Sequence, residues 1–241
     1  MVYSGKIYET DGAEAIGVHE AADIRPLAPV PTPPSIRIFR SDLGGDSDES
    51  NFFYGNPGAV VGPSQIINLP DLESEYVVRS YLGATIVGTG YQVNEEEAEA
   101  MILGLTLVNI VTAKTIEDEE RRNGFGFGRS HDLGIAIGPV LTTPDDVDDV
   151  MIMTKNGILY KLECSIKINQ VERAKAQFEE FTISMVDAVQ FASETCTLRA
   201  GDIFCVGPIF DDADCTVKAG DEFQFSMERL GVLALKINEQ P

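Results

Sequence analysis

The sequence predicts a mainly β fold with two helices, of the α+β class, on three observations. Short apolar or alternating runs typical of strands outnumber helical patterns along the 241 residues. Two segments open with a helix-capping pair, Asn94 with Glu97 and Ser184 with Asp187. The strand and helix patterns do not alternate as repeated β–α–β units would, which favours a mixed or antiparallel sheet.

The first 34 residues are predicted to form a small N-terminal β subdomain. Residues 6–8 and 15–18 have the pattern of a hairpin around a polar turn, and residues 23–27 are expected to add a strand. Prolines at 29, 31, 33 and 34 then favour an extended linker, because proline fixes φ and donates no backbone hydrogen bond. Residues 35–241 are predicted to form the core domain.

The first half of the core domain contains strand patterns at residues 60–69, at 75–87 (a strand pair) and at 105–111 (a buried strand). Asn94 is predicted to cap a helix over residues 95–103, because its side chain can accept from an early backbone N–H. The acidic, glycine-containing segment 42–51 is expected to be a surface loop. The charged segment 118–123 is expected to be a connector.

The second half begins with a hairpin signal, because Asn156 and Gly157 precede an alternating strand pattern over residues 160–168. A second helix is predicted from Ser184 to about residue 192. Three strand patterns close the chain; they follow Gly201, follow Gly220 and occupy residues 230–235.

A glycine-rich loop at residues 124–128 is the first candidate for a functional site. Three glycines at every second position contribute no packing side chain, so we expect backbone that bends or lies close to something. Arg129, His131 and Asp132 follow at once, before an apolar run that predicts a buried strand. Polar groups on a loop beside a rigid element are typical of a site. The alternative is a connector with solvated charges.

The composition argues against several classes of protein. A net charge of −21 predicts a surface that repels phosphate backbones, so no nucleic-acid partner is expected. No apolar run approaches the roughly 20 residues of a membrane-spanning helix, and no signal-peptide pattern opens the chain, so we expect a cytoplasmic protein. The four cysteines form no C-x-x-C pair, which disfavours zinc, and Cys164 is expected to be a reduced core thiol.

Several strings carry a resemblance to a known family. They include Phe53-Tyr54-Gly55-Asn56-Pro57, Glu73-Ser74-Glu75, the segment 104–114, the glycine-rich loop with Gly138-Pro139 after it, and the two C-terminal glycine turns. In their order and spacing the chain resembles the fumarylacetoacetate hydrolase superfamily, in its bacterial two-part form. The resemblance implies a core like the C-terminal domain of that family, a mixed β-sandwich or roll.

The resemblance also implies a metal site. Members of the family use two glutamates and an aspartate to hold Mg²⁺ or Mn²⁺, which binds a 2-oxo acid or 1,3-dicarbonyl group; hard oxygen ligands suit such ions. Glu73 and Glu75 match the two glutamates, but Ile110 stands in the place of the third carboxylate and cannot ligate. A Mg²⁺ or Mn²⁺ cofactor and metal independence therefore both stay open.

By the same resemblance, Arg129 replaces a pocket lysine and Asp132 is retained. Arg129, His131 and Asp132 are the predicted catalytic residues, and Tyr54 and Lys114 are the predicted substrate-binding residues. The alternatives are a salt bridge between Arg129 and Asp132 that shapes the loop, and an ordinary, partly exposed histidine at 131.

Three hypotheses for function follow. The first is a repurposed enzyme of specialised biosynthesis, an isomerase, dehydratase or cyclase (a lyase or isomerase in class) acting on an enolisable 2-oxo or 1,3-dicarbonyl substrate. The second is a metal-dependent C–C bond hydrolase or decarboxylase of the family, and the third a non-catalytic homologue that binds a ligand or partner. The third could also merely stabilise a complex. The expected partner is a small-molecule substrate, with no membrane partner, and the resemblance implies a homodimer.

Overall fold

The fold is known from a computed structural model, which describes residues 2–3, 6–11, 14–20, 23, 25–40, 51–70, 72–154, 157–178 and 183–239. Strands dominate it, and two large sheets pack face to face, as predicted. The predicted loop at 42–51 lies, except for residue 51, outside the described residues. In the described part of the chain, no helix is long and apolar enough to cross a membrane.

Eight strands form the larger sheet: β4 (Ile36–Arg40), β5 (Phe52–Gly55), β6 (Val60–Val61), β8 (Tyr76–Ile86), β9 (Ile102–Ala113), β10 (Gly134–Thr142), β15 (Ile203–Gly207) and β16 (Thr216–Val217). Their spatial order is β5-β4-β15-β8-β9-β10-β6, and β16 pairs with the start of β8. The long strands β8 and β9 run antiparallel through the middle of the sheet, and every residue of β8 is buried.

The predicted strand pair at 75–87 is therefore wrong, because β8 is a single strand of 11 residues. The one glycine inside it, Gly83, does not form a turn. A Cβ added there would lie 2.6 Å from the Val108 side chain, so Gly83 allows β9 to pack closely beside it.

The larger sheet curls, so that strands near its two edges meet. A Cβ on Gly55 of β5 would lie 2.9 Å from the Ile135 side chain of β10. The inner face of the curl holds a small apolar core; its members include Ile36, Ile38, Tyr81, Val108, Ile110, Ile135 and Ile137. The outer face packs against the second sheet and forms the main core of the protein.

Five strands form the second sheet: β7 (Ile66–Leu69), β13 (Glu163–Ile168), β14 (Val171–Gln177), β17 (Glu222–Met227) and β18 (Gly231–Glu239). Cys164, Ile166 and Ile168 of β13 are buried, as the alternating pattern predicted. Burial raises the pKa of the Cys164 thiol to about 12, and the cysteine is free, which confirms a reduced core thiol. The predicted hairpin at 156–157 is present, joining β11 (Met151–Thr154) to β12 (Gly157–Tyr160); Asn156 itself lies outside the described residues.

The described helices are α1 (Glu95–Met101), α2 (Lys114–Arg122) and α3 (Met185–Ser193). Both predicted capping boxes form, at Asn94 and at Ser184. The prediction of a connector at 118–123 is wrong, because those residues belong mostly to α2. That helix has no side-chain cap, and its one fully buried residue is the charged Glu117, so it lacks a favourable N-cap residue and a buried apolar face.

A separate antiparallel sheet at the N-terminus contains β1 (Val2–Tyr3), β2 (Lys6–Asp11) and β3 (Glu14–Glu20), which confirms the predicted hairpin. The strand expected at 23–27 is absent among the described residues of that stretch. The division into a subdomain at 1–34 and a core domain at 35–241 stays a prediction.

Residues 26–28, at the start of the linker, contact the core at Gly62. This contact allows a test of the packing. A Cβ at this position would lie 2.6 Å from the carbonyl oxygen of Pro26 and 2.9 Å from the amide nitrogen of Ala28. Because both contacts are with backbone, we expect Gly62→Ala to lower the free energy of unfolding by about 1–3 kcal/mol. Chemical denaturation measures this directly.

Gly126→Ala is the matched control, because no atom lies within 4 Å of a Cβ added there. Its free energy of unfolding should stay within about 0.5 kcal/mol of the wild-type value. Equal losses in the two variants would contradict the close packing of the linker on Gly62.

Candidate active site

A buried glutamate, Glu117 in the first turn of α2, is the centre of a cluster of charges at one end of the curl. Arg79 donates from Nη1 to Oε1 and from Nη2 to Oε2, both at 2.8 Å. Arg40 donates from Nη1 to Oε1 at 2.5 Å. All three side chains are fully shielded from solvent. Two guanidinium groups thus neutralise one carboxylate inside the fold.

Arg79 also holds a second carboxylate, that of Asp212. Its Nε and Nη2 donate to the two oxygens of Asp212 at 2.8 Å each. Lys114 completes the group, with Nζ 2.7 Å from Oδ2 of Asp212 and 3.3 Å from Oε2 of Glu117. The Lys114 and Asp212 side chains are 23% and 33% exposed, so the cluster reaches solvent at this pair. We call these five residues, Arg40, Arg79, Lys114, Glu117 and Asp212, the charged cluster.

The backbone explains why these residues meet. Arg40 ends β4, Arg79 lies near the start of β8, and Lys114 follows the end of β9. The pairing of these strands brings all three positions to one end of the larger sheet, and the segment after β15 supplies Asp212 from the same end. We call this end the mouth of the curl.

The two carboxylates of the charged cluster act as fixed anions. Burial by itself would raise the pKa of Glu117, but the hydrogen bonds and charge of Arg79 outweigh it and hold the pKa far below its ordinary value. Burial would also raise the pKa of Asp212, but the hydrogen bonds from Arg79 and Lys114 outweigh this effect, so the pKa is lowered. Three cations face these two anions, which leaves the charged cluster with one excess positive charge.

His131 lies beside the charged cluster and is only 2% exposed, so the alternative of a partly exposed histidine is wrong. Its ring packs on Phe53 and Phe127, with centroid distances of 5.0 and 5.4 Å. Its Nε2 lies 3.6 Å from Oε1 of Glu117. The ring therefore closes the inner side of the mouth.

A serine fixes the orientation of the histidine. Ser130 Oγ lies 2.9 Å from His131 Nδ1 and donates to Oε2 of Glu120 at 2.5 Å. Since a hydroxyl has one proton and Glu120 takes it, Nδ1 of His131 is the donor to Ser130. Nε2, which faces Glu117, is then the nitrogen whose protonation can change.

Arg129 and Asp132 are both exposed, at the outer side of the same loop. Asp132 accepts a hydrogen bond from Nδ2 of Asn56, and no ion pair joins it to Arg129 in the described part of the chain. Arg129 lines a cleft of about 230 Å³; the other lining residues are Ile116, Glu119, Glu120, Asn123 and Phe125. Arg129 thus lines a small cleft instead of forming the salt bridge with Asp132 that was the alternative.

The glycines of this loop are less constrained than predicted. Gly124 has a φ of 70°, which favours glycine, but a Cβ on Gly126 would meet nothing within 4 Å. A Cβ on Gly128 would lie 3.8 Å from the Glu120 carboxylate, an ordinary contact. The expectation that the backbone bends or lies close to something is right for Gly124 and for Gly128, where the chain bends, and wrong for Gly126.

Tyr54 lies apart from these residues. Neighbouring residues of a strand point to opposite faces, so Phe53 contacts His131 while Tyr54 faces the other way. The Tyr54 ring packs against Phe52 and lies 5.6 Å from the guanidinium carbon of Arg37. The structure brings Lys114, His131 and the loop together, but it does not bring Tyr54 to them.

The residues of the implied metal site do not fit a divalent ion. Glu73 and Glu75 are exposed and precede β8, and Oε1 of Glu75 is bonded by the hydroxyl of Thr216 at 3.0 Å. Ile110 is fully buried in the apolar core of the curl. Within the described ranges, no three His, Cys, Asp or Glu side chains are grouped so that they could hold a metal ion.

Sequence reasoning missed Arg40, Arg79, Glu117 and Asp212. One signal was available, because Arg79 is a cation within an apolar run that predicts a fully buried strand. A buried guanidinium requires buried carboxylates. The sequence did not indicate which of the 39 acidic residues would provide them.

Comparison with known proteins gives a consistent result. A family model described as fumarylacetoacetate (FAA) hydrolase C-terminal matches residues 39–238. An oxaloacetate tautomerase of Rattus norvegicus is 25% identical over 226 residues, which cover 88% of this chain and 68% of that protein. The sequence thus matches that tautomerase over most of its own length.

Solved structures show the same fold. A 2-hydroxyhepta-2,4-diene-1,7-dioate isomerase from Mycobacterium marinum has a TM-score of 0.74 at 22% identity, over 94% of this chain and 83% of that one. A maleylpyruvate hydrolase from Sphingobium sp. SYK-6, in complex with manganese(II) and pyruvate, has a TM-score of 0.74 at 21% identity, over 93% of this chain and 78% of that one. The predicted fold is confirmed.

The charged cluster makes a prediction for stability. Glu117→Gln leaves the buried Arg79 and Arg40 without their shared carboxylate, so we expect a loss of about 3–5 kcal/mol in the free energy of unfolding. Chemical denaturation at neutral pH measures it. The control is Glu119→Gln, an exposed residue of the same helix, for which a change within about 0.5 kcal/mol is expected.

The same pair predicts how stability depends on pH. The pKa of Glu117 is lower in the folded chain than its ordinary value of 4.5, so the unfolded chain binds more protons in acid. The contribution of Glu117 is complete above that ordinary pKa and is lost as the pH falls below it. Unfolding free energies measured from about pH 6 to pH 3 should fall more steeply for the wild type than for Glu117→Gln; parallel curves would contradict the assignment.

Proposed function

Because the chain belongs to the fumarylacetoacetate hydrolase family, we propose that it is an enzyme that isomerises an enolisable 2-oxo or 1,3-dicarbonyl acid. The observation that carries this proposal is the excess positive charge of the charged cluster, which reaches solvent at Lys114. A cationic site at the edge of an apolar core favours a carboxylate or an enolate oxygen over neutral ligands.

The chemistry that we propose is proton transfer next to a carbonyl. A base takes a proton from the carbon beside the carbonyl group, the electron pair moves to the carbonyl oxygen, and reprotonation at another atom completes the isomerisation. Glu117 and Asp212 are poor choices for this base, because their lowered pKa values keep them ionised and bonded to cations. The base and acid are therefore sought outside the charged cluster.

We assign the proton steps to His131 and Asp132 and the oxyanion to Arg129. The Nε2 of His131 can change its protonation state while Ser130 holds Nδ1, which suits a proton carrier. Asp132 is exposed and accepts a hydrogen bond from Asn56, and Arg129 lines the cleft between the loop and α2. Lys114 is assigned to the substrate carboxylate, because it is the solvent-reaching cation of the charged cluster.

Similar proteins support this reaction type. The named relative from rat is a tautomerase and the Mycobacterium marinum structure is an isomerase, so enolisation is chemistry that this fold carries in other members. Isomerisation needs no activated water. A dehydratase or a cyclase would pass through the same enolate and shares the first step.

A second candidate is a non-catalytic homologue, which one observation favours. Arg79 makes four hydrogen bonds to its two carboxylates, so most of the charge at the mouth is satisfied internally. A mouth closed by its own ion pairs could serve to hold the fold rather than to bind a substrate. The experiment below separates the two candidates.

Enolisation can be measured without knowing the product. The chain is incubated in D₂O with a panel of 2-oxo and 1,3-dicarbonyl acids, including oxaloacetate and pyruvate, and exchange of the protons beside the carbonyl is followed by ¹H NMR. We expect Arg129→Ala to slow the exchange by about 10²–10³-fold, since an oxyanion partner is lost. Of the variants Asp132→Asn and His131→Gln, whichever removes the residue that moves the proton should slow the exchange by about 10²–10⁴-fold.

Arg173→Ala is the control, because Arg173 is an exposed arginine on β14 of the second sheet. It should leave the exchange rate unchanged. No exchange above background for any panel member would support the non-catalytic candidate, and C–C cleavage products in the same spectra would support the hydrolase.

We also propose that the chain forms a homodimer, an expectation that rests on the resemblance. Sedimentation across the micromolar range checks it. A monomer throughout that range would contradict it.

A further inference from the structure

We infer that the guanidinium of Arg79 takes the place that a divalent metal ion is implied to hold, so that this chain carries its cation as a side chain. Arg79 would be the cation of the mouth whether or not the chain has the proposed isomerase activity. Three observations lead to it.

The first is position across the sheet. Arg79 of β8 lies directly opposite Ile110 of β9, and directly opposite residues of an antiparallel pair point to the same face. Ile110 is fully buried in the inner apolar core. The residue that replaces the implied third ligand is thus the immediate neighbour of a buried cation.

The second observation connects Arg79 to the remaining implied ligands. The hydroxyl of Thr216 lies 3.0 Å from Oε1 of Glu75 and 3.2 Å from the carbonyl oxygen of Asp212. The Asp212 carboxylate in turn accepts two hydrogen bonds from Arg79. The contacts run from Glu75 through Thr216 and Asp212 to Arg79, so the guanidinium is linked by hydrogen bonds to one implied ligand and lies on the strand position paired with the other.

The third observation is the balance of charge. Arg79, Arg40 and Lys114 already face only two carboxylates, and all four carboxylate oxygens accept from these cations. A divalent ion in this place would add two positive charges beside a charged cluster that already carries an excess of one. Burial opposes the charge of Arg79, but the bonds to Asp212 and Glu117 outweigh it and keep its pKa above the ordinary value, so the cation is permanent.

The consequence is a division of roles between two cations. Arg79 is fully buried and bonded, so it acts on a ligand only through the residues it holds, as a positioning residue. Lys114 shares both carboxylates with Arg79 and is partly exposed. Because Arg79 neutralises much of Glu117 and Asp212, the charge of Lys114 remains available to an anion.

The test is metal binding, read by electron paramagnetic resonance of Mn²⁺ and by calorimetry. We expect no specific Mn²⁺ binding by the wild type. We expect none by Ile110→Asp either, because the new carboxylate pairs with Arg79, and this variant should fold. The double variant Arg79→Val with Ile110→Asp should bind about one Mn²⁺ per chain, because it removes the cation and restores an oxygen ligand.

The matched control is Ile137→Asp. Ile137 belongs to the same inner core but lies opposite Val108, with no cation across the strand. We expect a much larger fall in the melting temperature for Ile137→Asp than for Ile110→Asp, since only the latter places its carboxylate beside a guanidinium. Equal falls, or an Ile110→Asp chain that does not fold, would overturn the inference.

Three further results would overturn it. The first is specific Mn²⁺ binding by the wild type that is lost in Glu73→Ala. The second is Mn²⁺ binding by Ile110→Asp alone, which would mean that Arg79 does not occupy the place of the cation. The third is a folded double variant that binds no Mn²⁺. If the double variant does not fold, the melting temperature and the Mn²⁺ binding of Ile110→Asp decide whether the inference holds. These readouts do not use catalysis, so a failed isomerase assay leaves them unaffected.

Discussion

The bonds of Arg79 to Glu117 and Asp212 are the constraint on which the rest of the mouth depends. A guanidinium inside a sheet must find carboxylates within the fold, because water cannot reach it. Here the carboxylates come from α2 and from the segment after β15, which lie 38 and 133 residues away in sequence. One side chain therefore fixes a helix and a distant loop to the central strand.

Such a pair is weak evidence for stability by itself. Replacing a buried ion pair by apolar residues of similar volume is often neutral or stabilising, whereas removing one partner is costly. Ile110, directly opposite Arg79, shows that this face of the sheet can hold an apolar residue. The presence of a charged cluster at the open end of an otherwise apolar core thus points to a use for the charge rather than to a need of the core.

Local chemistry explains which parts of the fold could be predicted from sequence. Asn94 and Ser184 cap their helices with partners three residues away, and the alternating pattern of β13 depends only on its own residues. The helix α2 was missed because Ala113 provides no cap and the fully buried position is Glu117, whose partners are tertiary. Residues 75–87 were divided in two because the sequence does not indicate that β9 packs against Gly83.

The site could be predicted in part, for the same reason. Arg129, His131 and Asp132 were identified from a short string, but their partners Asn56 and Glu120 come from other segments. The resemblance indicated where a metal would be held; it did not indicate that a strand residue would supply the charge, because that depends on which side chains face one another across β8 and β9.

The local excess of positive charge also has to be weighed against the whole chain, whose net charge is −21. At physiological ionic strength, charges more than about 8 Å apart are largely screened, so the acidic surface acts on an approaching anion mainly at the rim. Within the mouth, Lys114 and the residues it contacts lie within a few ångströms of one another and are partly buried, where screening is weaker. A small anion that passes the rim is therefore attracted by Lys114, whereas a large polyanion is still repelled by the acidic surface. This difference in range, rather than the net charge, determines the electrostatic attraction that a small anion experiences at the mouth.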